Sequence, residues 1–142
     1  VHIIGDGGQR ENLEKFSKDN ALTVFFYGSI TDRDYLFHLL QQSDVFVIPS
    51  LTEGMPRALL EAMTIGLPCI GSNVGGIPEV LSSEILYEPE DIEQLKKLLK
   101  GINNSQELRE EAARVNQELI RKLYSDEVLQ IRKHEFWSRV YE

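Results

Sequence analysis

Five short apolar runs punctuate the first 90 residues: VHII (1–4), LTVFFYG (22–28), DVFVIP (44–49), LPCIGS (67–72) and EILYE (84–88). None alternates cleanly between apolar and polar positions. A strand that is apolar on both faces needs cover on both, which is the situation of a parallel sheet flanked by helices. Helix-period segments at 9–19, 32–42, 56–66 and 91–100, with a short one at 77–83, supply that cover. The order predicts an α/β fold with a doubly wound, mostly parallel sheet.

The pattern changes after residue 100. GINNS (101–105) reads as a turn-rich break, followed by two strand-free helical segments at 106–123 and 126–141. Leu108, Ala112, Val115, Leu119 and Leu123 recur at helical spacing and form one apolar stripe. Leu129, Phe136 and Val140 do the same in the last segment, beside Trp137 and Tyr141. The expected organisation is therefore an α/β core over 1–100 and C-terminal helices over 101–142. A strand at residue 1 without lead-in raises the expectation that the sequence opens inside a fold.

Charge narrows the function classes. Residues 1–90 carry 5 Lys/Arg against 13 Asp/Glu, a balance of −8, whereas residues 91–142 carry 10 of each. An acidic front half argues against nucleic-acid binding, which rests on Lys and Arg neutralising phosphates. No apolar run approaches the roughly 18 residues of a membrane-spanning helix. The single cysteine, Cys69, sits in an apolar run, reads as a buried strand thiol, and fits a reducing compartment.

Four stretches have chemical potential. In IIGDGGQRENLEKF a strand enters a Gly-rich turn and then a helix, so backbone N–H groups there can face an anion. The dinucleotide fingerprint is only partly met: Gly5 and Gly7 fit, but Arg10 stands where a third Gly belongs. In FFYGSITDRDYLFHLL, Gly28 ends a strand, Thr31 or Asp32 caps a helix, and Asp32 and Asp34 sit where first-turn carboxylates are favoured rather than as metal ligands. PSLTEGMPRALLEAMTIGLP places Glu53 ahead of a helix that starts at Pro56, and Glu61 more than a turn inside it. The two carboxylates do not share a helix face, so a metal pair is not expected. A helix start beside Gly54 can instead bind a diphosphate, with a carboxylate on either side to accept hydrogen bonds from sugar hydroxyls. In GSNVGGIPEVL, Gly75 and Gly76 keep the backbone bare beyond another strand end, where ligands of open α/β sheets bind.

Taken together, GDGGQRENLE, FFYGSI, SDVFVIPSLTEGMPRALLEAMTIGLPCIGSNVGGIPEVL and LYEPED resemble the C-terminal half of the group 1 glycosyltransferases, the family 4 retaining enzymes of the GT-B fold. The resemblance is continuous over about 1–100 and implies a Rossmann-like, nucleotide-sugar-binding domain. It implies Glu53 as the catalytic-site carboxylate contacting donor-sugar hydroxyls, and Glu61 as the ligand of the nucleotide ribose. Gly54, Met55 and Pro56 would lie beside sugar and diphosphate. Leu59 and Leu60 would sit near ribose and phosphates, Ile30 two past Gly28 would meet the base through main chain, and Gly7 would edge the same cleft. No cofactor and no metal are implied, only a nucleoside-diphosphate sugar as donor. Hexosyl transfer to a glycan or lipid-linked acceptor is implied for the full-length enzyme, in the cytoplasm, with peripheral contact at the inner membrane face where acceptors are lipid-linked.

The family's Arg and Lys that clamp the diphosphate precede this first strand, and with them the first βα unit and the whole N-terminal acceptor domain lie outside the sequence. A net −8 is a poor setting for a diphosphate, and a helix end offers only about 0.3–2 kcal/mol. The chain alone is therefore expected to be inactive, with the N-terminal domain as its nearest partner. Phe136, Trp137 and Tyr141 would pack either on the domain itself or toward that partner. Alternatives are a sugar-nucleotide epimerase of the same fold and a non-catalytic nucleotide-sugar-binding subunit; EGMPRALLEAM favours the transferase.

Overall fold

The computed structural model describes residues 1–141, so Glu142, the last residue of the expected domain, lies outside the described residues. The chain divides into two compact units, Val1–Leu39 and the remainder from Leu40.

In the first unit, β1 (His2–Ile3) and β2 (Phe25–Phe26) pair in parallel, His2 opposite Phe25 and Ile3 opposite Phe26, with α1 (Arg10–Asp19) between them in sequence. The expected runs of four and seven residues shrink to two, because Gly5 and Gly28 both turn to positive φ (129° and 66°) and end the ladder. Asp32 then starts α2 (Arg33–Gln41), its side chain accepting from the Tyr35 N–H at 3.1 Å. Of the two caps the sequence offers, Thr31 and Asp32, it is Asp32 that accepts this bond.

The second unit is built on a three-stranded parallel sheet in the order β3 (Phe46–Ile48), β4 (Cys69–Ser72), β5 (Leu86–Tyr87). Its central strand is fully buried. Side chains alternate across it. On one face Ile70 and Tyr87 meet Leu95, Leu98, Leu99 and Ile102 of α4 (Ile92–Asn104). On the other, Ile77 and Leu81 press so closely on Gly71 that an added Cβ would lie 2.6 Å from Ile77. Between β3 and β4 runs α3 (Arg57–Thr64), which buries Leu59, Ala62 and Met63. Cys69 is buried as expected, and desolvation pushes its thiol pKa well up, away from reactivity.

Three boundaries differ from the sequence reading. The short helix at 77–83 is two 3₁₀ turns, Ile77–Glu79 and Ser83–Ile85, because Ile77 and Leu81 are pinned on β4. The break at 101–105 contracts to Ser105, which ends α4 and caps α5 (Gln106–Tyr124). Arg109 makes this possible by donating to the carbonyls of Ile102 and Asn103, both at 2.8 Å, so the Asn-rich end stays helical. Pro56 is the N-cap of α3, in extended conformation, rather than its first helical residue.

Helix α5 packs on both α3 and α4, and its buried Asn116 donates to the Leu67 carbonyl at 2.9 Å. Ser125 then caps α6 (Asp126–Val140), accepting from Val128 N–H at 3.4 Å. No residue of α6 is buried, and Phe136, Trp137 and Tyr141 pack on one another. No helix among the described residues is long and apolar enough to cross a membrane.

Candidate functional site

Glu53 is set by a relay of two serines. Ser72, at the end of β4 and 1% exposed, donates to the Ser50 carbonyl at 2.6 Å, and the same hydroxyl lies 3.4 Å from the Ile48 carbonyl. Ser50 in turn donates its hydroxyl to Glu53 Oε2 at 3.0 Å. The loop after β3 is thereby tied to the neighbouring strand, and one oxygen of a half-buried carboxylate is fixed. Neither serine drew notice in the sequence. The Ser72–Ser50 bond spans 22 residues and no local pattern marks it, whereas the Ser50 hydroxyl reaches Glu53 only three residues on.

The loop after β4 closes on the loop after β3. Gly76 N–H donates to the Gly54 carbonyl at 2.9 Å. A Cβ on Gly75, whose φ is 54°, would fall 1.7 Å from the Glu53 carbonyl oxygen, and one on Gly76 would fall 2.5 Å from that of Gly54. Glycine is thus required at both positions by the approach of one backbone to another. Gly54 is different: its φ is ordinary, and nothing lies within 4 Å of where its Cβ would be. The fold does not require glycine there.

Beyond Gly54 and the exposed Met55, buried Pro56 starts α3 with no capping side chain and no acidic residue in the first turn. The first N–H groups of the helix and the positive end of its dipole are the features that bind anions at helix starts. Leu59 is fully buried beneath the helix, Leu60 half-buried at its flank. Glu61, also half-buried, lies two residues on from Leu59 and so on the flank turned away from it. Tyr124, at the end of α5, reaches the loop from another direction, its hydroxyl 3.7 Å from Met55 Sδ. This contact spans 69 residues and was not legible in the sequence.

The first unit holds the remaining expected positions. Gly5 N–H donates to the Gly28 carbonyl at 2.8 Å, joining the Gly-rich turn to the end of β2. Gly28 is buried, Ile30 half-buried in the loop before α2, and Gly7 exposed, its carbonyl accepting from Arg10 N–H at 3.0 Å. Arg10, which breaks the glycine fingerprint, has a structural place. Its guanidinium lies 2.9 Å from where a Gly28 Cβ would sit, and it pairs with Glu14 at 2.8 Å and Asp6 at 3.2 Å. Those two bonds, Glu14 first, raise its pKa and keep it charged.

Asp32 serves as a helix cap, and among the described residues no group of three or more His, Cys, Asp or Glu is placed to hold a metal ion.

Comparison with known proteins bears on what this arrangement belongs to. The UDP-Gal:alpha-D-GlcNAc-diphosphoundecaprenol alpha-1,3-galactosyltransferase of Escherichia coli is 42% identical over 112 residues, 75% of this chain and 28% of that protein. Protein CapJ of Staphylococcus aureus is 36% identical over 112 residues, 78% of this chain and 29% of its own. The chain thus spans less than a third of either relative. Sucrose-phosphate synthase of Thermosynechococcus elongatus superposes with a TM-score of 0.86 over 99% of this chain and 38% of its own, at 24% identity, which speaks for the GT-B fold. The family model for Glycosyl transferases group 1 matches residues 1–119, and the chain belongs to that family.

Proposed function

We propose that this chain is the donor-binding domain of a retaining glycosyltransferase and binds a nucleoside-diphosphate sugar at the start of α3. The observation that carries the reading is Gly54. It has ordinary backbone geometry and open space beside it, at an uncapped helix start next to a serine-held carboxylate. At a helix start, a bare backbone of this kind leaves room for a ligand to approach closely.

In this reading the α3 N–H groups receive the diphosphate, with Gly54, Met55 and Pro56 beside it. Glu53 accepts from a sugar hydroxyl through Oε1 while Ser50 holds Oε2. Glu61 accepts from the ribose, and Leu59 and Leu60 line the approach. The roles of Gly28 and Ile30 toward the base, and of Gly7 at the cleft edge, rest on the family resemblance alone. The donor is held without a cofactor or a metal. Transfer of a hexosyl group to a glycan or lipid-linked acceptor, at the cytoplasmic side of a membrane, is proposed for the longer protein. The name of the E. coli relative, with its UDP-sugar donor and diphosphoundecaprenol acceptor, supports that class. Acceptor binding and the groups opposite the reacting carbon belong to an N-terminal domain, so the 142-residue chain binds donor without turning it over.

The test is the ³¹P spectrum of uridine, guanosine and adenosine diphosphates on addition of the chain. One nucleotide should shift at millimolar concentration, and Glu61→Ala should weaken the effect. Phosphate signals that ignore the chain with all three bases would overturn the proposal.

A further inference from the structure

Tyr124 is distant from the loop after β3 in sequence and touches it in space. It is the last residue of α5, half-buried, and its hydroxyl donates to Met55 Sδ at 3.7 Å. Met55 stands between Gly54 and Pro56 and is 39% exposed, so burial does not hold it. Ahead of Met55 the loop is fastened: Ser50 and Ser72 set Glu53, and Gly76 N–H holds the Gly54 carbonyl. A Cβ on Gly76 would lie 3.4 Å from Met55 Cα, so bare backbone supports Met55 on one side. Its side chain reaches the other way, to Tyr124.

The earlier turns of α5 explain why Tyr124 arrives there. Asn116 donates to the Leu67 carbonyl, and the Gln117 amide lies 2.7 Å from where a Gly66 Cβ would sit. Both contacts fall just beyond the C-terminal end of α3. From Asn116 to Tyr124 the helix advances about 12 Å, at 1.5 Å per residue, and the 8 residues of α3 span about the same length. Helix α5 therefore runs antiparallel along α3, pinned at the end of α3 and delivering Tyr124 to its start.

We infer that Tyr124 is a positioning residue of the donor site. Its hydroxyl, through Met55, sets the Gly54–Pro56 backbone that presents the first N–H groups of α3 to the diphosphate. This role rests on the donor site proposed above and adds to it the group that holds the exposed side of the loop. A thioether is a weak acceptor, and its contacts with aromatic side chains are modest. Such a bond suits the adjustment of a loop rather than the stability of the fold.

The experiment compares the unaltered chain with Tyr124→Phe, Met55→Leu and the double variant. Affinity for uridine, guanosine and adenosine diphosphates is read by ³¹P titration, and thermal unfolding is followed on the same samples. Tyr124→Phe keeps the ring and loses the hydroxyl. It should leave the unfolding midpoint in place and weaken nucleotide binding about two- to tenfold, the range of a thioether contact. Met55→Leu keeps the volume, loses the acceptor and should weaken binding by a similar factor. The double variant should bind no more weakly than either single one, because both remove the same bond. The amide resonances of Gly54, Met55 and Arg57 should also move in Tyr124→Phe before any nucleotide is added. Amides that stay in place, or unchanged affinity in Tyr124→Phe beside an unaltered chain that binds, would overturn the inference and leave the donor site standing. Losses that multiply in the double variant would overturn it too, by showing that the hydroxyl acts on the ligand itself. An unaltered chain that binds none of the three nucleotides would overturn the donor site, and the role of Tyr124 with it.

Discussion

The loop after β3 and the loop after β4 both carry glycine, for opposite reasons. Gly75 and Gly76 are demanded from within, since backbone oxygens of Glu53 and Gly54 occupy the space a side chain would take. Gly54, on the other side of the same contact, has neither a positive φ nor a neighbour within 4 Å of its missing Cβ. One loop is shaped by the fold, and the other keeps a vacancy that the fold does not use. Identical letters in a motif can therefore be required by packing at one position and not at the next.

That contrast breaks most easily at Gly75. Gly75→Ala combines a positive φ with a backbone overlap that no rotamer relieves, and should destabilise the chain by about 3 kcal/mol or more in urea unfolding. Gly28→Ala is the intermediate case. Its φ of 66° is strained for alanine, but the nearest atom is the mobile end of Arg10, so a loss of about 1–2 kcal/mol is expected. Ser72→Ala removes the hydroxyl that ties the two loops, which should cost about 1 kcal/mol and loosen Glu53, lowering nucleotide affinity with it. Gly54→Ala should leave stability within about 0.5 kcal/mol, or raise it slightly, and yet weaken nucleoside-diphosphate binding. A large stability loss at Gly54 would erase the distinction between the loops.

The parts of the molecule that were legible in the sequence are those written locally. The alternation of apolar runs with helix-period segments gave the α/β order, Asp32 marked the start of α2, and the Pro56 stretch marked a helix start. Strand lengths were not legible, because the ladders stop where Gly5 and Gly28 turn, which the apolar runs do not show. Nor was the continuation of α4 to Asn104, which depends on Arg109 reaching back from the next helix. In the candidate site, the carboxylates and glycines stood out by type and spacing, whereas Ser72 and Tyr124 act through contacts across 22 and 69 residues. The apolar stripe of α6 was visible as a pattern, but a stripe says only that a partner is wanted, not which one.

The central claim is that the start of α3 and the loop beside it form a donor site. Amide chemical shifts of the isotope-labelled chain, followed during titration with the nucleoside diphosphate that perturbs the ³¹P spectrum, test it residue by residue. The account predicts changes concentrated at 53–61 and 72–77, reduced in Glu61→Ala and in Gly54→Ala. Changes confined to other surfaces, with 53–61 and 72–77 unmoved, would contradict it.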